Sequence, residues 1–209
     1  DDGAQGREPW LTRDIDTASQ LVMDLNEGAS SSSPAEFIKY GGFVYFAATR
    51  LSDDGLSGEG RELWRAGLDA QSPALFIDLA SGGESSSPES LTVHDGALYF
   101  SAETAEEGRE LWVSDGTAEG THSLLLREGS DGGEPAELLS FKGHLYFTAD
   151  DGVRGRELWR SQGAEASTQL FDEIQPGAES ADPRDLTVVG EQLFFVADDP
   201  EHGAELWVS

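Results

Sequence analysis

Gly108-Arg109-Glu110-Leu111-Trp112-Val113-Ser114 is the stretch on which the fold turns. Neighbours along a β-strand point to opposite faces of the sheet, so adjacent Leu111 and Trp112 call for a sheet that is covered on both sides. The same pattern returns as Gly6-Arg7-Glu8-Pro9-Trp10, Gly60-Arg61-Glu62-Leu63-Trp64, Gly155-Arg156-Glu157-Leu158-Trp159 and Gly203-Ala204-Glu205-Leu206-Trp207. All five tryptophans of the 209-residue chain lie in these copies, 54, 48, 47 and 48 residues apart. Two further landmarks keep register with them. Pro34, Pro88, Pro135 and Pro183 each follow a tryptophan by 23 or 24 residues. Tyr45-Phe46, Tyr99-Phe100, Tyr146-Phe147 and Phe194-Phe195 each precede one, the first at a greater distance because six extra residues lie between Phe46 and Gly60. A self-similar period of this length is the mark of a repeat architecture.

Each period reads as four short strands. In the repeat that begins at Pro88, residues 90–94 form the first and Asp95-Gly96 turns the chain, a strong hairpin dipeptide. Residues 97–102 form the second, a Glu/Gly loop leads to the third at 110–114, and Asp115-Gly116 turns into the fourth at 123–127. No segment sustains a helical period, so the fold class is all-β. Radially stacked four-stranded blades cover both faces of each sheet, and known propeller repeats of about 40 to 50 residues bracket this period. The expected fold is one β-propeller domain spanning 1–209, with repeats at 1–33, 34–87, 88–134, 135–182 and 183–209. Four blades are favoured, the first and last partial repeats completing one blade between them. Five blades, or a piece of a longer array, are the alternatives, because Trp10 and Trp207 claim the same place.

Composition bounds the function. With 41 acidic against 13 basic residues the net charge is −28, which repels nucleic-acid phosphates and anionic membrane surfaces. Cations, basic proteins and neutral glycans remain open as partners. The absence of cysteine removes disulfides, thiolate metal sites and cysteine nucleophiles. No apolar run reaches the roughly 18 residues of a membrane helix, so no membrane insertion is expected. No signal-peptide pattern opens the sequence, which suits either a cytoplasmic protein or a mature or excised part of an exported one.

Glu110-Leu111-Trp112-Val113-Ser114-Asp115-Gly116-Thr117, followed by Ala118-Glu119-Gly120-Thr121, resembles the signature of the ELWxxDGT-repeat proteins. The other copies keep the Gly-x-Glu-x-Trp part and depart from the rest of the octet. The resemblance implies a repetitive β-architecture in exported or surface-attached bacterial proteins. It implies a secreted or cell-surface location and brings no catalytic residues.

The motif glutamates Glu8, Glu62, Glu110, Glu157 and Glu205 recur in every copy, as a structural role requires and a single catalytic site does not. They are expected to accept hydrogen bonds that fix a loop, and the tryptophans to pack between blades. The candidate metal site is the loop between the second and third strands. Asp1, Glu103, Asp150 and Asp198 stand there nine residues before a tryptophan, joined by Asp2, Asp151 and Asp199, with Asp53 and Asp54 in the longer loop of the first full repeat. Such carboxylates suit calcium, a hard cation that takes oxygen ligands, and they suit solvated Asp-Gly turns equally. His94, His122, His144 and His202 occupy four different repeat positions, so they read as surface or loop histidines. The functional expectation is a non-enzymatic binding, adhesion or scaffold module for a protein or glycan, with calcium as the only cofactor suggested. A propeller enzyme acting on glycans, as hydrolase or lyase, is the alternative from another class. A structural spacer that forms homo-oligomers through its surplus third strand is a third reading.

Overall fold

The computed structural model describes residues 6–12, 19–51, 58–69 and 73–209. The chain divides into two compact units, 1–89 and 90–209. The first holds β1 (Trp10–Leu11) and β2 (Gln20–Leu21), which pair with each other, then the four-stranded antiparallel meander β3 (Ala35–Tyr40), β4 (Phe43–Arg50), β5 (Gly60–Gly67) and β6 (Ala74–Ile77). The second holds two more such meanders: β7 (Glu89–His94), β8 (Ala97–Thr104), β9 (Gly108–Ser114) and β10 (Thr121–Leu124), then β11 (Ala136–Phe141), β12 (His144–Asp150), β13 (Arg156–Ser161) and β14 (Gln169–Asp172). A three-stranded sheet follows, β15 (Arg184–Val189), β16 (Gln192–Asp199) and β17 (Gly203–Val208). The fold is all-β, a β-propeller of four-stranded antiparallel blades; among the described residues there are three complete blades, a sheet of three strands, and the short β1–β2 pair.

The strands form where the apolar pairs lie. Leu111 and Trp112 sit on β9 opposite Ser101 and Phe100 of β8, and Leu158 and Trp159 face Thr148 and Phe147 in the same register. Asp95-Gly96 turns with positive φ at both residues, 45° and 77°, the left-handed pair that a tight hairpin needs. The fourth strand differs from the sequence expectation. It covers Thr121–Leu124 and stops before Leu126 and Arg127, because their amides leave the ladder for the carboxylate of Glu110.

Apolar faces are buried blade on blade. Trp159, Leu145 and Phe147 of the third blade pack with Tyr99, Leu111 and Leu124 of the second. On its other face the third blade gives Tyr146 and Leu158 to a cluster with Leu193, Phe195 and Ala197 of the three-stranded sheet. In the first unit Leu25 and Val22, just beyond β2, pack on Phe46 and Trp64. Each fully buried leucine or phenylalanine contributes about 1.5–3 kcal/mol, so these layers supply most of the cohesion. Tryptophan indoles add a fixed polar contact within each blade: Trp64, Trp112, Trp159 and Trp207 donate Nε1–H to the carbonyls of Ala48, Ala102, Ala149 and Ala197 at 3.1–3.2 Å. Trp10 is the exception at 39% exposed, beside the proline that replaces the motif leucine.

Candidate functional site

The motif glutamate is a buried acceptor in four of its five copies. Glu110 on β9 is fully buried and accepts the backbone N–H groups of Leu126, Arg127 and Gly133 at 2.9, 3.1 and 3.0 Å. Glu62 accepts the amides of Leu79 and Ser86 and the Ser86 hydroxyl. Glu157 accepts Ile174 and Gln175, and Glu8 accepts Leu25, Ser32 and the Ser32 hydroxyl. All of these donors lie on the crossover that leaves the fourth strand and enters the next sheet. In four of the five copies the carboxylate is therefore a latch between a blade and the loop that follows it, as its recurrence suggested, whereas Glu205 on β17 is exposed. Backbone bonds complete the joint: Ser33, Ser87, Glu134 and Asp182, each just before the repeat proline, donate to the carbonyls of Arg7, Arg61, Arg109 and Arg156.

Burial raises the pKa of Glu62, Glu110 and Glu157 against the opposing pull of their amide donors. It is pushed up to about 7 for Glu110 and for Glu157, and upward for Glu62. An acid whose folded value is raised contributes stability that is full below its unfolded value and lost as pH climbs through the folded one. Asp115, Asp151 and Asp199 run the other way, held below the ordinary carboxylate range, so their contribution disappears only as pH falls through those lowered values. The melting midpoint at fixed ionic strength should therefore rise by about 5 °C between pH 8 and pH 5. A flat or falling profile over that interval, followed by scanning calorimetry, would count against buried, ionisable latches.

The acidic loops between second and third strands are closed by their own partners. Asp150 Oδ1 accepts the Gly152 amide, and its other oxygen lies 3.7 Å from Arg127. Burial works against ionised Asp151, yet the amides of Arg154 and Val153 and the Arg154 guanidinium outweigh it. Asp198 pairs with Arg184 at 2.9 Å, and Glu103 lies 3.8 Å from Arg109. Asp199 takes the amides of His202 and Glu201 and faces the His202 ring. Among the described residues no three His, Asp or Glu side chains are grouped to hold a metal ion. Asp1, Asp2, Asp53 and Asp54 lie outside the described residues.

Two features escaped the sequence reading. His94 is a core residue rather than a surface one: 4% exposed, with Nδ1 at 2.8 Å from the Ser140 hydroxyl of the next blade and burial lowering its proton affinity. A second left-handed residue also recurs two positions after each proline, at Glu36, Ser90, Glu137 and Asp185, with φ of 56–60°. These kinks begin the first strand of every sheet with one, and the strand register shifts just after Ala35, Ala136 and Arg184. The signal was present as Pro34-Ala35-Glu36, Pro88-Glu89-Ser90, Pro135-Ala136-Glu137 and Pro183-Arg184-Asp185.

No protein-family model matches the chain, and no curated protein matches it in sequence. Solved structures do match in shape. A puromycin hydrolase superposes with a TM-score of 0.48 and 18% identity, over 83% of this chain and 35% of its own. The Bacteroides ovatus protein described as xyloglucan PUL GH43B gives 0.40 and 16%, over 87% of this chain and 40% of its own. A bifunctional GH43-CE protein of Bacteroides eggerthii gives 0.34 and 16%, over 82% and 25%. The chain thus spans between a quarter and two fifths of the length of these structures.

Proposed function

We propose that this chain is a non-catalytic binding or scaffold module of an exported or cell-surface protein. The observation that carries the reading is the latch. Glu8, Glu62, Glu110 and Glu157, the acids that recur with the repeat, are each spent on crossover amides, so the motif builds blades rather than a reaction centre. The resemblance to ELWxxDGT-repeat proteins supports export. The net charge of −28 favours a basic protein surface as the partner and leaves a neutral glycan open. The loops between second and third strands are the contact surface in this reading, since they project from a rigid sheet and carry the acids.

Calcium would act on these loops by competing with Arg154 for Asp151 and with His202 for Asp199. Melting in calcium, magnesium and chelator at matched ionic strength tests that step. A rise confined to calcium supports it, and equal midpoints remove calcium from the account. The wider reading is tested by presenting the immobilised protein with a panel of basic proteins and polysaccharides. Saturable binding with no release of shorter products is the expected result. Steady cleavage of any glycan in the panel would overturn the non-catalytic assignment.

A further inference from the structure

The joint between the second and third blades carries a polar pair at positions that the other repeats fill differently. The residue that ends the first strand of each sheet, just before its hairpin turn, is Tyr40, His94, Phe141 or Val189. The residue before it is Lys39, Val93, Ser140 or Val188. The one histidine of the first series meets the one serine of the second: His94 Nδ1 lies 2.8 Å from the Ser140 hydroxyl, from β7 to β11. Two residues back along β7, the Thr92 hydroxyl donates to the Leu138 carbonyl at 3.1 Å, so side-chain hydrogen bonds run along this seam.

His94 is buried, and its Nε2 has no hydrogen-bond partner among the described residues. A neutral imidazole has one N–H and one acceptor nitrogen, whereas the imidazolium has two N–H groups. The site offers a single partner, the Ser140 hydroxyl, which serves Nδ1 in either neutral tautomer. Protonation leaves the Nε2–H group buried with no acceptor, beside a buried charge. Burial accordingly lowers the proton affinity of His94; Asp95 on the same hairpin opposes the effect, and His144 at the start of β12 adds to it. From β8 the ring meets Tyr99, with centroids 6.0 Å apart. The remaining charged groups of β11 and its turn are engaged elsewhere: Glu137 takes the Leu186 amide, and Lys142 lies 3.4 Å from Glu191.

We propose that His94 makes the joint between the second and third blades acid-sensitive: the neutral ring holds β7 to β11 through Ser140, and the protonated ring must leave its buried site to hydrate its second N–H. A base whose folded proton affinity is lowered gives stability that is full above the ordinary histidine value and is lost as pH falls below it. The latch glutamates gain over the same interval, so the effect of His94 is read as a difference between two proteins that carry the same glutamates. The device is independent of the ligand-binding reading.

The comparison is the wild type against the double variant His94→Phe with Ser140→Val, which brings to this seam the residue types found at Phe141 and Val93. Replacing both partners of a buried polar pair by apolar groups is close to neutral, so the variant should fold. Between pH 8 and pH 5, at fixed ionic strength, the difference between the two melting midpoints should move by about 3 °C or more in favour of the variant. His122→Gln, on an exposed histidine of β10, should show no such movement. In the wild type, NMR of the His94 ring, assigned through its own backbone amide, should show titration below the ordinary histidine value with the Ser140 signals moving in step. This measurement stands without any variant. A midpoint difference that stays constant with pH, the same movement in His122→Gln, or a His94 ring that titrates at or above the ordinary value would each overturn the acid-sensitive joint.

Discussion

Glu110→Gln should lower the melting midpoint by about 5–10 °C, while Glu205→Gln at low protein concentration should leave it within about 1 °C. The two positions are equivalent in the repeat and opposite in environment. Both oxygens of Glu110 accept backbone N–H groups, and the side chain is fully buried. Glutamine keeps one oxygen and turns an NH2 group toward at least one of those amides. A buried donor facing a donor costs about 1–3 kcal/mol, and a chain of this size converts each kcal/mol into about 2–4 °C. Glu205 is solvent-exposed, so its amide replacement faces water. Equal shifts at the two sites, measured by thermal unfolding, would show that the carboxylate's burial and loop contacts do not set the effect.

The second large effect is expected at the motif glycine. Gly155 has φ of +68°, and a Cβ there would stand 2.6 Å from the carbonyl oxygen of Glu179. Alanine must both adopt a left-handed backbone and push the crossover away, at a combined cost of about 3 kcal/mol and a drop of about 6–12 °C. Gly203 has a similar φ of +75° with open space around it. Gly203→Ala therefore carries only the backbone penalty of about 1 kcal/mol. The difference between the two variants isolates the contact with the crossover from the dihedral angle. Near-equal losses would mean that φ alone accounts for the glycine.

Much of this was legible in the residues, and the part that was not has identifiable causes. Leu111-Trp112 and Tyr99-Phe100 announce a sheet with two apolar faces, and the structure buries both, against Leu145 and Trp159 on one side of their blade. Recurrence of Glu110 at every copy marked it as structural, though not which amides it would take. The fourth strand ends early because Leu126 and Arg127 answer that carboxylate, a contact between residues 16 and 17 apart that no local propensity encodes. His94 was misplaced because its burial comes from the neighbouring blade, through Ser140, rather than from its own strand. Asp151 and Asp199 stand in a row of acids at a shared loop position, and their protein partners were not legible there. In the folded loops they bind amides and the side chains of Arg154 and His202, three residues further along. Trp10 shows the reverse case: its motif is recognisable, with Pro9 in place of the leucine, yet the indole is partly exposed.

Amide hydrogen exchange in the wild type and in Glu110→Gln tests the central claim, that the motif carboxylate latches each blade to its crossover. The account predicts strong protection of the Leu126, Arg127 and Gly133 amides in the wild type. In the variant that protection should fall by at least about tenfold at these sites, with the Ile174 and Gln175 amides under Glu157 retaining theirs. Unchanged protection at Leu126, Arg127 and Gly133 would contradict the latch.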